Sequence, residues 1–590
     1  MERNPRKLWE NIKAATNTGK SRDSQDIELN DKTVEACETF NNFFSTIAKK
    51  IHDNLRPLQG EATKYTKQAH SSFRFKAPSA TEINSIINSI QPKKSMGHDE
   101  ISSRLIKELK FELIEPLQII MKKIIKDETF PDIWKKAKVI PLYKKGDPKD
   151  AGNYRPISLL PALSKVAEKV IANQIYKYLE TTNQFPPTQY GFRRGKSTGQ
   201  AISNLVYELE FLNLKKHTYA LIMIDFSKAF DLIDHNILAQ KLGKLGFDDQ
   251  ATRLITSYLN NRVQFVSCNN KNSKDKTLDP VGCPQGSILG PLMYLIYTID
   301  IKNLLAEHFH IMYADDTGLI VRLKKNEGTE KIRDLMQRIL NHFTLNKLKM
   351  NVTKTVIMGK GIEGEIAVEG TNMNISKKSG GEKYLGVKIN PELNWAGHFE
   401  ELVRKVKFGL HALSKIKKVN NVQVKKSVYE AFIKSHINYA IAAWYPTLTK
   451  RQKTILEQLN KAAIRMIAGA KRLAHTANLY KHLGILNVED QFIQSVIAGG
   501  RKLRENINKN NNLHIYTQII EPKTRTVAKL IPKQVGGTLY LHTKIMNEHK
   551  QYINSTNLTP TVLANFKKNK LQGYNTDCRR RGCPSCVPLE

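Results

Sequence analysis

Two groups of carboxylates stand where short apolar runs end. Asp315 and Asp316 follow Ile311-Met312-Tyr313-Ala314, and apolar residues resume from Thr317 to Val321. Asp225 closes the run Ala220-Leu221-Ile222-Met223-Ile224. Apolar flanks around a short polar tip read as a strand hairpin. Adjacent carboxylates repel when both ionise, and their pKa values rise unless cations neutralise them. A lone Asp-Asp pair also suits a plain polar turn, but Asp225 at a second strand end turns the reading toward metal chemistry. Mg²⁺ prefers oxygen ligands and is commonly held by one or two carboxylates plus substrate phosphates. Two such ions about 4 Å apart can activate a hydroxyl and stabilise a leaving oxygen in phosphoryl transfer. The expected metal set is therefore Asp225, Asp315 and Asp316, with Mg²⁺ as the ion and Mn²⁺ as a substitute.

The chain that must position these groups has 590 residues, 40% hydrophobic and 25% charged, enough for several folded domains. Lys and Arg number 93 against 55 Asp and Glu, a net charge of +38. Such an excess points to a polyanionic partner, nucleic acid first. The basic residues fall in scattered pairs such as Lys144-Lys145, Arg193-Arg194 and Lys417-Lys418, which suits a lined channel better than a tail. No run of about 18 apolar residues occurs, so no membrane span is expected. The polar start and the few cysteines lead to an intracellular expectation, with nucleus and cytoplasm both open.

Along the chain, residues 1–75 are polar apart from an amphipathic patch at Phe40, Phe43, Phe44 and Ile47. Thr81 is expected to cap a helix carrying Ile83, Ile86, Ile87 and Ile90 on one face. Leu163, Val166, Val170, Ile171 and Leu179 recur at helical spacing, as do Leu402, Val406, Leu410 and Leu413. Residues 216–390 alternate short strands with helices, an α+β pattern. After about residue 500 the periodicity weakens.

Further motifs flank the carboxylates in a fixed order. Ser95-Met96-Gly97-His98-Asp99 suits a turn capping the next helix. Lys138-Val139-Ile140-Pro141-Leu142-Tyr143-Lys144-Lys145 is followed by Asn153-Tyr154-Arg155-Pro156-Ile157-Ser158. Gln189-Tyr190-Gly191-Phe192-Arg193-Arg194-Gly195-Lys196-Ser197-Thr198 has three residues between its glycines where a phosphate-binding P-loop needs four. Then come Asp225-Phe226-Ser227-Lys228-Ala229-Phe230-Asp231, Gly282-Cys283-Pro284-Gln285-Gly286-Ser287, Asn351-Val352-Thr353-Lys354-Thr355 and Tyr384-Leu385-Gly386-Val387. Asp231 and Asp234 read as helix caps, and Cys283 as a small buried residue.

In order and type, these motifs resemble the reverse transcriptases of non-LTR (LINE-type) retrotransposons, nearest to the jockey-like members. The resemblance is dense from Lys93 to Asn390. It implies a right-hand α+β polymerase: connector 1–75, fingers 76–215, palm 216–390, helical thumb 391–480 and a basic C-terminal region 481–590. It implies an RNA template, a DNA primer or target and dNTPs as partners, with no membrane. Lys138 and Arg155 would hold the incoming triphosphate, with Lys144 an alternative to Lys138. The Gln189–Thr198 segment would touch template. Phe230 would be the steric gate against a ribose 2′-hydroxyl. Gln285 and Gly286 would contact the nascent base pair and sugar, and Lys354 would be the general acid for pyrophosphate. The hairpin at Tyr384–Val387 would be the primer grip.

Cys583 and Cys586 have metal-ligand spacing, and Cys578 offers a third thiolate. Structural zinc takes four ligands, so His542 or His549 would have to close such a Zn²⁺ site. Many family members carry an endonuclease domain before the polymerase, and about ninety residues here make its absence the expectation. The competing reading is a non-catalytic RNA- or DNA-binding protein derived from such an element. It would keep the charge and lose a metal ligand, whereas Asp225, Asp315, Asp316 and Arg155 are all present.

Overall fold

The structure is a computed structural model that describes residues 34–324, 327–368, 371–376 and 378–509, with residues 545 and 566–571. In chain order the strands are β1 (Ala137–Tyr143), β2 (Tyr154–Leu159), β3 (Thr218–Ile224), β4 (Phe226–Ser227), β5 (Val263–Cys268), β6 (Lys271–Asn272) and β7 (Lys276–Thr277). They continue as β8 (Phe309–Tyr313), β9 (Asp316–Leu323), β10 (Lys349–Met350), β11 (Val356–Lys360), β12 (Glu365–Val368), β13 (Thr371–Ser376), β14 (Glu382–Tyr384) and β15 (Val387–Ile389). Helices fill the intervals, so the chain is a mixed α+β protein.

A six-stranded sheet in the order β12-β13-β11-β3-β9-β8 organises the centre. β3 lies between β11 and β9, antiparallel to both. Its apolar run has no polar alternation because both faces are covered. Ala220, Ile222 and Ile224 enter one large core, while Tyr219, Leu221 and Met223 enter another. The first core gathers the helices before residue 350, including Ala162–Thr181 and Leu289–Tyr297. The second gathers the C-terminal helices Ala396–Lys415 and Lys450–Ala468 with Thr198–Leu214.

A five-stranded sheet carries the β1–β2 hairpin, with β5 parallel to β1. The helix Val34–Asp53 docks on it through fully buried Cys37 and Phe40, which share a small core with Val139, Tyr154, Val266 and Cys268. Cys37 and Cys268, isolated in sequence, are thus neighbours, and burial followed by the Cys37 thiol pushes Cys268 up to about 12.

Local expectations needed revision in three places. The helix Ala80–Ser89 is capped by Ser79, whose side chain accepts from the Glu82 amide, and Thr81 lies inside the first turn. Ser102 caps the helix after Gly97, while Asp99 accepts from the Ile101 amide within the turn. Asp234 does cap the helix His235–Lys244, but Asp231 is a half-buried carboxylate that accepts from Gln285 Nε2 at 2.8 Å. Ile83, Ile86 and Ile87 are buried as the spacing requires, as are Val166, Val170, Ile171 and Leu179. No helix among the described residues is long and apolar enough to cross a membrane.

Candidate functional site: three carboxylates at the ends of adjacent strands

The β3–β9 register pairs Ile224 with Thr317, so Asp225 leaves β3 where Asp316 enters β9. The β8–β9 hairpin pairs Tyr313 with Asp316 and leaves Ala314 and Asp315 as its two-residue turn. Ala314 takes φ +57°, a left-handed conformation uncommon outside glycine. Burial, then the nearby Asp225 charge, pushes the Asp315 carboxyl up, while Arg155 and Lys144 oppose the push. Burial and the charges of Asp315 and Asp225 push Asp316 up to about 6, although its side chain keeps an exposed face. The three carboxylates therefore form one electrostatic unit.

Asp225 is wired to the segment after β10. Its amide donates to Thr355 Oγ1 at 3.3 Å, and its carbonyl accepts from the Asn351 amide at 2.8 Å. Thr355 Oγ1 donates to the Asn351 carbonyl, and Asn351 Oδ1 accepts from the Lys354 amide at 3.2 Å. This knot places Lys354 Nζ at 3.7 Å from Asp225 Oδ2. That distance is too long for a hydrogen bond, and Asp225 Oδ2 is a buried oxygen without a hydrogen-bond donor. A buried anionic oxygen left in this state favours a cation. The donors are hard oxygens, so the set fits Mg²⁺ or Mn²⁺. No three His, Cys, Asp or Glu side chains close into a metal cage among the described residues. A site of this kind stays open toward substrate.

The five-stranded sheet brings its hairpin over these carboxylates. Arg155 on β2 is opposite Leu142, exposed, and free of ion pairs to described residues. Lys144 follows β1; burial, then Arg155 and Lys354, holds its ammonium below the ordinary lysine range, and Asp225 opposes the shift. Lys138 sits on β1 opposite Leu159, half-buried. Lys144, the alternative weighed from sequence, is electrostatically joined to the acidic cluster.

The Gly282–Ser287 loop bridges the two sheets. Ser158 on β2 donates its amide to the Gln285 carbonyl at 2.8 Å. A Cβ on Gly286, at φ +128°, would meet the Ser158 carbonyl oxygen at 2.6 Å, so only glycine allows this approach. Glu168, fully buried, accepts from the Ile288 amide at 2.6 Å and the Leu289 amide at 3.2 Å, fixing the helix start beyond the loop. Phe230 stands half-buried between Tyr294 and Phe192, at ring-centroid distances of 4.8 and 5.9 Å. Cys283 is buried with its thiol pushed up to about 12 by burial, a poor nucleophile.

Two of the quoted motifs are tied into the fold by their own side chains. Arg193, placed in a template-contacting segment, has a side chain only 7% exposed; it grips Glu180 through two nitrogens and donates to the Pro186 carbonyl at 2.7 Å. It braces its own turn. Tyr384 and Val387 pair across a two-residue turn with positive φ at Leu385 and Gly386, and the Tyr384 hydroxyl donates to the Ile311 carbonyl at 3.2 Å. That hairpin thus rests on the β8 edge beside the carboxylate turn. Glu168 escaped the sequence reading, and Gln189 was read only as part of the template-contacting segment, because their partners at Ile288, Leu289 and Ala314 lie over a hundred residues away. Cys578, Cys583 and Cys586 lie outside the described residues.

The fold and site define a chain with a reverse transcriptase domain: residues 143–389 match the family described as Reverse transcriptase (RNA-dependent DNA polymerase). The chain is 28% identical over 442 residues to the probable RNA-directed DNA polymerase from transposon BS of Drosophila melanogaster, covering 72% of this chain and 48% of that protein. It is 25% identical over 458 residues to the RNA-directed DNA polymerase from mobile element jockey of the same fly, covering 75% and 49%. The jockey protein of Drosophila funebris is 28% identical over 452 residues, covering 73% and 48%. The chain is similar to RNA-directed DNA polymerases of LINE-type, jockey-like non-LTR retrotransposons. It spans about half the length of these curated relatives.

Proposed function

We propose that this chain is an RNA-directed DNA polymerase that extends a primer 3′-hydroxyl with dNTPs on an RNA template. The observation that carries the reading is Asp225 Oδ2, buried without a hydrogen-bond donor beside Asp315 and Asp316 and faced by Lys144, Arg155 and Lys354. On this reading the five-stranded sheet is the fingers, the six-stranded sheet the palm, and the helices from Ala396 the thumb.

Asp225 and Asp315 would be the firm ligands of two divalent ions, with Asp316 auxiliary. When bound, the ions supply charge neutralisation at the attacking and leaving oxygens. Arg155 and Lys144 would hold the triphosphate, a guanidinium being suited to bidentate phosphate contact. Lys354 is placed to give a proton to departing pyrophosphate. Phe230, backed by Tyr294, would exclude a ribose 2′-hydroxyl. The net charge of +38 supports salt-sensitive binding of template and primer, since each phosphate contact releases counterions.

The test is primer extension on poly(rA)–oligo(dT) with Mg²⁺, comparing dTTP with UTP and wild type with Asp315→Asn. Extension with dTTP alone, abolished by the substitution, is the expected result. Salt-sensitive RNA binding without any extension would sink the catalytic reading and leave a nucleic-acid-binding protein.

A further inference from the structure

The turn that carries Asp315 is held from outside its own hairpin. Gln189 is 2% exposed, and its Oε1 accepts from the Gly191 amide at 2.8 Å and from the Ala314 amide at 3.1 Å. The flanking backbone is stitched to β8: the Tyr190 amide donates to the Met312 carbonyl at 2.7 Å, and the Met312 amide donates to the Thr188 carbonyl at 2.9 Å. Gly191 then packs on the turn so closely that a Cβ there would lie 2.2 Å from the Ala314 nitrogen. Ala314 holds a left-handed φ of +57°, which costs a non-glycine residue strain that surrounding bonds must overcome. The Ala314 amide is an interior donor next to Asp315, and an unanswered buried amide is costly.

The geometry points to Gln189 as a positioning residue: its side-chain oxygen pins the Ala314 amide and so sets where the Asp315 and Asp316 carboxylates stand. The inference rests on the polymerase reading for its catalytic consequence, but the pinning itself can be observed without catalysis. The Gln189 side chain is buried, with its oxygen taken by two backbone amides. It acts through the backbone of the turn, while Asp225 is held separately by Asn351 and Thr355. Removing the oxygen should therefore move two of the three carboxylates relative to the third.

Three variants of the full chain test this. Gln189→Met keeps length and bulk and removes the acceptor. Gln189→Glu keeps an oxygen for both amides. Gln189→Met combined with Ala314→Gly lets the turn adopt its left-handed φ without steric strain. Amide hydrogen exchange, read by mass spectrometry, should show lost protection in Gln189→Met confined to the Gly191 amide and the peptide spanning Met312 to Thr317. Primer extension by the same protein should show kcat lowered by roughly 10²-fold, the cost of about 1 Å of misplacement. KM for dTTP should stay within about twofold, because Arg155 and Lys144 are untouched by the change; exchange protection kept elsewhere in the chain separates this from general unfolding. Gln189→Glu should restore the protection, and Ala314→Gly should recover part of kcat. Wild-type protection and kcat in Gln189→Met would overturn the proposal while leaving the polymerase reading standing. If wild type extends no primer yet Gln189→Met still loosens the turn, the polymerase reading falls and Gln189 is only a structural tie.

Discussion

Replacing Gly191 with alanine should disable the carboxylate turn, and the size of the effect follows from three distances. A Cβ at this position would lie 2.2 Å from the Ala314 nitrogen, 2.8 Å from the Tyr313 carbonyl carbon and 3.0 Å from the Ala314 Cα. All three neighbours are backbone, so no side chain can swing away. Restoring an ordinary separation of about 3.5 Å to the nearest atom needs about 1.3 Å of movement. The 188–191 segment resists it through its hydrogen bonds to Met312 and through Gln189. Much of the movement therefore falls on the turn carrying Asp315. A displacement near 1 Å costs about 10²-fold in rate, and forced overpacking costs about 1–3 kcal/mol of stability. Single-turnover primer extension measures the first and urea unfolding the second. Gly195→Ala is the control: its φ is +75°, but nothing lies within 4 Å of the added carbon. That variant should lose about 1–2 kcal/mol to left-handed strain with its rate intact. A Gly191→Ala protein that extends primer at the wild-type rate would refute the argument that this contact positions the site.

Lys354→Ala should lower kcat by roughly 10²-fold, the lower range for loss of a general acid; an unchanged kcat would assign the proton to another group. His398 offers a prediction about stability. Its ring lies 5.5 Å from Trp444 and 6.1 Å from Trp395, its Nε2 is buried without a partner, and burial holds its pKa down at about 4 against an ordinary 6.5. The unfolded chain thus takes up the proton first. Stability is full above pH 6.5, declines as pH falls below it, and the loss is complete near pH 4. At pH 5 the deficit is about 2 kcal/mol. His398→Phe should flatten that part of the urea-stability curve between pH 7 and 5, and an equal slope in both proteins would contradict the assignment.

What was legible in the sequence was whatever depends on near neighbours. The β3 run and its terminal Asp225 were readable because a strand buried on both faces must be continuously apolar. The β8–β9 hairpin was readable because apolar flanks surround a two-residue turn. Helix faces at Val166, Val170 and Ile171 followed from spacing alone. The failures share one cause. Asp231 looked like a cap because short acidic residues near helix starts usually are, yet its partner Gln285 comes from a loop 54 residues away. Thr81 and Ser79 are equally good capping types, and only the backbone at Ser79, with ψ 160°, decides between them. Lys138 and Lys144 both precede Arg155 in a basic hairpin. Their separation emerges only when β1 is placed beside β5 and the hairpin tip is carried over the carboxylates. Gln189 serves a turn 125 residues downstream and leaves no local signature.

The two acidic residues of the turn are chemically unequal, and the reason lies in which cations each one faces. Asp315 is pushed up by burial and by Asp225, but a backbone hydrogen bond in its own turn, then Arg155 and Lys144, pull it back. Asp316 has no such relief: burial, Asp315 and Asp225 all act in one direction and bring it to about 6. A bound proton therefore competes with a cation at Asp316 as pH falls toward 6. The arrangement also explains why the basic hairpin must sit on one side of the turn. A cation beside Asp316 as well would neutralise the cluster from within the protein and weaken its pull on metal. Leaving one carboxylate unrelieved keeps the cluster short of positive charge, which an incoming metal–nucleotide complex can supply.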